Sequence, residues 1–365
     1  MAESRQSGSR GGAPRSPVVV SPRYCAAKFP KVRKFASGVG AGRARLIQQT
    51  SAKWLNGSTI RFWFFDKPTK WTATESQKDV VREAFKKWKA LGIALEFVEV
   101  KKRAEADVRI AFDQTDGSWS YIGTDVRTKR ADPRTMNFGW SLTDDAAEGM
   151  DTAIHEIGHT LGFPHEHQNP FAGIVWNEPA VYVSLAAPPN KWSKATTFHN
   201  IIEKIVPDTV QGSNWDPDSV MHYPFEAGLI EKPVKYRNGL SPAGGLSTRD
   251  RAWALKFYPG IAGTIPQLSP LQSTTLSLQP AQQANFRFKP QQTREYELRT
   301  FGPSDTVMAL YEKSAAGELH LAEDDDSGVD RNAHIKVPLE AGKEYVVRVR
   351  MHYANAAGQT AVMVW

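Results

Sequence analysis

Residues 155 to 165 read His-Glu-Ile-Gly-His-Thr-Leu-Gly-Phe-Pro-His, and this string constrains its own surroundings more than any other stretch of the chain. On a helix, His155 and His159 are four residues apart and leave one face about 40° apart, so two imidazole nitrogens can reach one metal ion. Glu156 lies on the same side, about 60° from His159. Gly162 can adopt the left-handed backbone that stops a helix, after which the chain can turn back and deliver His165 as a third ligand. His167 is a rival for that third position, and the turn geometry after Gly162 favours His165. Three protein ligands leave a fourth position for water, which separates a catalytic zinc site from a closed structural one.

The local context agrees. Asp145 with Glu148 reads as a helix-start capping pair, Ala153 and Ile157 supply an apolar face, and Gly162 supplies the stop. A second element lies downstream at Ser219-Val220-Met221-His222-Tyr223. The string and this segment together resemble the metzincin zinc proteases, and a tyrosine two residues after the methionine resembles the astacin branch.

That resemblance implies a set of roles. Met221 would form the floor of the metal site and Tyr223 an additional zinc ligand that swings away to steady the oxyanion. Glu166 would be tied to the buried start of the mature chain. Zinc, one per chain, would be held by His155, His159 and His165, with Glu156 as the general base that takes a proton from water and passes it to the leaving amine. The strand before the zinc helix would be the lower edge of the cleft, placing Asn137, Phe138 and Gly139 near the substrate backbone. The resemblance covers about Ser51 to Pro259.

Residue patterns give the same order of elements. Ile60 to Phe65 is β-branched and aromatic, Val80 to Trp88 places Val80, Ala84, Phe85 and Trp88 on one helical face, and Ala106 to Phe112 and Thr135 to Trp140 read as strands. Ser247 with Asp250 starts a helix that closes at Tyr258-Pro259. The expected catalytic domain is thus α+β, a twisted mixed sheet with the zinc helix and a C-terminal helix, over residues 51–260. Residues 261–274, with Pro266 and Pro270, read as a linker. From 275 to 365 short alternating runs separated by turns predict a small all-β sandwich, whose order of motifs resembles the bacterial pre-peptidase C-terminal domain. Asp324, Asp325 and Asp326 could hold Ca²⁺ there, against the plainer reading of a solvated acidic turn.

Charge is concentrated at the start. Residues 1–50 hold ten Lys or Arg against Glu3 alone, a balance of +9, and since the chain totals +7 the remainder is about −2. This Gly-, Ser- and Pro-rich stretch reads as disordered, a pro-segment or targeting arm in preference to a nucleic-acid tether, since it shows no aromatic interleaving. It has no Asp before Asp66, so the aspartate cap of astacin zymogens is missing. Pro22-Arg23-Tyr24-Cys25 faintly resembles the cysteine cap of the matrixins, and Cys25 is either that cap or an incidental thiol. As the only cysteine it excludes disulfides within one chain.

No apolar run approaches 18 residues, so no membrane span is expected, and Val18-Val19-Val20 is too short for a secretory signal. Export by another route, a monomeric state and protein or peptide substrates are the expectations. Two competing readings are a zinc hydrolase acting on a non-protein polymer cross-link and a binding protein with a vestigial metal site.

Overall fold

The computed structural model describes residues 22–26, 52–127, 133–205, 215–261, 263–315, 317–353 and 356–365. Apart from residues 22–26, the basic stretch 1–50 lies outside the described residues. The catalytic half opens with β1 (Ser58–Phe64), α1 (Glu75–Lys89), β2 (Leu95–Glu99), β3 (Val108–Ala111), β4 (Trp119–Ser120) and β5 (Met136–Asn137). These strands form one sheet in the order β2-β1-β3-β5-β4, parallel throughout except for β4 against β5. The mixed sheet is the expected one, but its edge is not: β4, and not the strand before the zinc helix, is the outer strand.

Helix α1 is capped by Thr74, whose side chain accepts from the Gln77 amide, and it buries Val81, Ala84, Phe85 and Trp88. Val81 replaces the expected Val80 as the fully buried position, with Val80 partly buried against the same core. The next helix, α2 (Ala146–Thr160), starts at Asp145, whose carboxylate accepts from the Ala147 and Glu148 amides. Its end is a Schellman turn. Phe163 N donates to Gly158 O (3.0 Å) and Gly162 N to His159 O (2.8 Å), with Gly162 at φ +95°. The Trp88 indole donates to Ile154 O at 3.0 Å and so ties the middle of α2 to α1.

The chain continues through β6 (Val175–Trp176), α3 (Glu178–Ala186), α4 (Lys194–Thr197) and β7 (Ile230–Lys232) to α5 (Thr248–Phe257). At the start of α5, Ser247 and Asp250 form a reciprocal capping box. Among the described residues no helix is long and apolar enough to cross a membrane.

The C-terminal half is a sandwich of two antiparallel four-stranded sheets. Its strands are β8 (Thr274–Leu278), β9 (Gln283–Phe288), β10 (Arg294–Phe301), β11 (Thr306–Ser314), β12 (Gly317–Asp324), β13 (His334–Leu339), β14 (Tyr345–Met351) and β15 (Gly358–Val364). The sheet orders are β13-β10-β15-β8 and β12-β11-β14-β9. The preceding stretch is anchored to the sandwich, since Leu268 is buried in its core and donates its amide to Arg287 O at 2.8 Å.

Strand β11 is buried on both faces over Thr306 to Tyr311 because its outer face does not meet solvent. Ala309, Tyr311 and Val346 pack there on Leu55 of the catalytic half. Polar contacts surround that patch: Gln283 exchanges two 2.8 Å hydrogen bonds with the Asn56 backbone, and Ser58 Oγ lies 2.8 Å from Tyr311 Oη. Arg348 and Arg350, both buried, donate to Gly57 O (2.8 Å) and Lys53 O (3.1 Å). Gly57 sits at φ +84°, and a Cβ there would lie 2.5 Å from Arg348 Nη2. Gly57→Ala is therefore expected to destabilise the folded chain by about 1–3 kcal/mol, read as a lower denaturant midpoint.

Candidate metal centre

Helix α2 presents His155 and His159 on one face, and the Schellman turn swings the chain round so that His165 meets them. Each ring is held from behind. His155 Nδ1 lies 2.7 Å from Val220 O, His159 Nδ1 2.7 Å from Phe163 O, and His165 Nδ1 3.3 Å from Gln168 Oε1. Because all three outer nitrogens face oxygen acceptors, they carry the ring protons, and the three Nε2 atoms are left as lone-pair donors pointing inward. His155 Nε2 has no partner, and His159 Nε2 lies 3.0 Å from His165 Nε2, where two lone pairs would repel without a cation between them. Burial holds the imidazoles neutral, with His155 pushed down to about 4 and His159 and His165 also well below the ordinary value.

Cys25 completes the set. Ligand atoms of Cys25, His155, His159 and His165 lie within 4.8 Å of one another, the one group of this kind among the described residues. Three neutral imidazoles with a thiol in tetrahedral reach are a donor set suited to zinc. His167 is not in it: its Nε2 is 2.8 Å from Asn200 O, and the ring packs beside Tyr223.

Glu156 is fully buried next to the metal position without belonging to the ligand group. Its Oε1 has no partner, and its Oε2 accepts from the Cys25 thiol at 3.5 Å. Burial pushes its carboxyl up to about 8. Tyr223 Oη donates to Cys25 O (2.5 Å) and stands equally close to His165 Nε2, so its hydroxyl faces the same small space. Met221 lies directly under α2, against Gly158, where a Cβ would collide with its sulfur. The Met221 carbonyl also accepts from Glu166 N at 2.9 Å.

Glu166 was expected to meet the start of the mature chain, which lies outside the described residues. Its Oε1 accepts from Asp216 N (3.0 Å) and Asn169 Nδ2 (3.1 Å), and burial without a cation pushes its carboxyl up to about 7. Asn137 is interior, its side chain bonded to Asp113 N, Asp113 O and Gly117 O. Phe138 is likewise buried, and Gly139 is pressed against the Gly117 backbone. Asn137 and Phe138 therefore face the interior, because β4 takes the edge, whereas Gly139 is half-buried and lines a cavity together with Arg23, Tyr24 and Ala26. Asp324, Asp325 and Asp326 do not converge as a cation site: Asp324 accepts from Ser327 N and His334 N, and Asp325 faces His352.

What the sequence did not announce is how residues 22–26 run through the cleft. Ala26 N donates to Ser118 O (3.1 Å) beside the β4 edge, Tyr24 N donates to Asn190 Oδ1 (3.0 Å), and Asn190 Nδ2 returns to Pro22 O (2.9 Å). Two cavities, of about 290 and 900 Å³, flank this strand, and Arg23 and Trp140 line both. No pattern in five irregular residues marks such a path. The signal was the run Pro22-Arg23-Tyr24-Cys25, with its resemblance to a cysteine cap.

A family model described as Astacin, a peptidase family, matches residues 46–229, which include every histidine of the site, Glu156 and Tyr223. The chain belongs to the astacin family. Among curated relatives, bone morphogenetic protein 1 of Xenopus laevis is 28% identical over 196 residues, half of this chain and 24% of that protein. Tolloid-like protein 1 of Homo sapiens is 27% identical over 198 residues, 51% of this chain and 17% of that protein. The chain thus spans a quarter or less of the length of these relatives. Among solved structures, that of myroilysin is similar at 30% identity and a TM-score of 0.52, covering 58% of this astacin and 98% of that chain.

Proposed function

We propose that this astacin is a zinc-dependent endopeptidase held in a latent form by its own residues 22–26. The observation that carries the reading is the convergence of three lone-pair-bearing Nε2 atoms beside a buried carboxylate oxygen that has no partner. His155, His159 and His165 would hold the metal, with the carbonyls of Val220 and Phe163 and the Gln168 side chain fixing their rings. Bound there, zinc would supply Lewis acidity, polarising a scissile carbonyl and acidifying water.

The protein's own groups do the rest. Glu156 takes the proton of the attacking water on its free oxygen and delivers it to the nitrogen of the leaving amine. The Tyr223 hydroxyl, released from Cys25 O, donates to the carbonyl oxygen as negative charge develops on it. A substrate strand takes the place of residues 22–26, with Ser118 O accepting its amide as it accepts that of Ala26. While the segment stays, the Cys25 thiol would serve as a fourth ligand and the Cys25 carbonyl engages Tyr223. Export of the chain belongs to the same proposal and rests on the motif order of the C-terminal sandwich.

The test is zinc quantification on the purified full-length chain, with cleavage of an unfolded protein measured before and after chelation. About one zinc per chain, and cleavage that chelation abolishes and zinc restores, are expected. Absence of zinc overturns the reading. Zinc without cleavage, persisting after residues 1–51 are removed, favours a non-protein substrate.

A further inference from the structure

The 290 Å³ cavity opens directly beside Glu156. One wall is the stripe Glu148, Asp151, Thr152 and His155 of α2, spaced i, i+3, i+4, i+7 and so aligned on one face. The opposite wall is the segment from Ser219 to Pro224, closed off by Ser241 and Pro242. The space suits one long side chain flanking the scissile bond.

The chemistry of that wall is anionic and uncompensated. Neither Glu148 nor Asp151 has an ion-pair partner among the described residues. Asp151 is half-buried, and only its Oδ1 has a donor, Gly245 N at 2.8 Å. Gly244, at φ +84°, packs against the second oxygen, where a Cβ would lie 2.7 Å from Oδ2. Lys87 acts on Asp151 from a distance without pairing with it. A carboxylate drawn partly out of water without a cation is costly, and a ligand that brings the cation recovers that cost. Deeper in, Glu156 lines the same cavity, and its buried Oε1 has no partner. The protein also places a cation of its own at the mouth. Arg23, two residues before Cys25, rests over the Trp140 ring at 5.7 Å and lines the cavity from the side of the latency segment.

We infer that this cavity selects a basic substrate side chain, lysine or arginine, at one of the two positions flanking the scissile bond. Asp151 and Glu148 are the residues that determine this specificity, and Arg23 is the side chain the substrate displaces from the mouth. The inference rests on the peptidase reading of the same site and names the substrate class for it.

The experiment maps cut sites in an unfolded protein with the zinc-loaded full-length chain carrying Cys25→Ala. It then compares kcat/KM for paired peptides that differ only by Lys or Leu at the enriched position. Lys and Arg are expected about tenfold over Leu at one flanking position and not at the other. Asp151→Asn and Glu148→Gln together should cut the Lys/Leu ratio about three- to tenfold, and Asp151→Lys should move the preference toward acidic side chains. Glu148 is exposed on the first turn of α2, so Glu148→Gln alone keeps the fold and must still lower the ratio. Cleavage without a basic preference, or a Lys/Leu ratio unchanged in these variants, overturns the inference and leaves the peptidase intact. Failure to cut any sequence, with zinc bound, instead overturns the peptidase reading.

Discussion

Glu156→Gln is expected to lower kcat by about 10²–10⁴ while leaving the zinc content near one per chain. The two halves of that expectation come from different observations. Metal retention follows because the three histidines are held by Val220 O, Phe163 O and Gln168, none of them by Glu156, and a glutamine in its place would still offer an oxygen to the Cys25 thiol. The rate loss follows because Gln has the shape of Glu but no basic oxygen to take a proton. The residue is a fully buried position of α2, so an isosteric replacement leaves no cavity and the fold should hold. Parallel zinc analysis and single-turnover cleavage of an unfolded protein check both halves. A variant that keeps both metal and rate removes Glu156 from the chemistry, and one that loses zinc makes it a structural support of the site.

Cys25→Ala should have the opposite sign and raise the activity of the unprocessed chain. In the proposed latent form the thiol would be the fourth ligand of the metal, and such an enzyme works only in the fraction of time that position is open. Each ~1.4 kcal/mol of closure that is lost raises that fraction about tenfold, so loss of a metal ligand should increase the rate by at least about tenfold. The increase should remain below that of a chain freed of the segment. Backbone contacts from Ala26 to Ser118, from Tyr24 and Pro22 to Asn190, and from Tyr223 to Cys25 O survive the substitution. Steady-state rates on an unfolded protein, with the chain confirmed intact by mass, read the effect. An unchanged rate would make Cys25 an incidental buried thiol.

Features carried by local sequence were legible, and features set by long-range pairing were not. The spacing of His155, His159, Gly162 and His165 dictates a helix, a left-handed stop and a return, and all three appear because each depends on neighbours within a few residues. The caps at Asp145 and Ser247 were readable for the same reason. The position of Asn137 and Phe138 was misjudged because strand order in a sheet is decided by non-local contacts. The two-residue strand β4 is too short to leave an alternating pattern that would have marked it as the edge. The acidic run at Asp324 carried no information on whether its side chains converge or satisfy a turn. Docking of the sandwich was equally invisible, since Tyr311, Arg348 and Arg350 look like ordinary positions of an antiparallel strand until their outer face is found to be covered.

That covered face bears on how such a protease can be rebuilt. Leu55, Asn56, Gly57 and Ser58 are gripped from one side by Tyr311, Gln283 and Arg348, while neighbouring Trp54 donates its indole to Thr160 O at the end of α2 (2.6 Å). The sandwich is therefore no freely exchangeable cassette. A graft from another enzyme would have to bring matching arginine, tyrosine and glutamine side chains in the same register, or leave the first strand of its host with an exposed apolar flank and orphaned carbonyls.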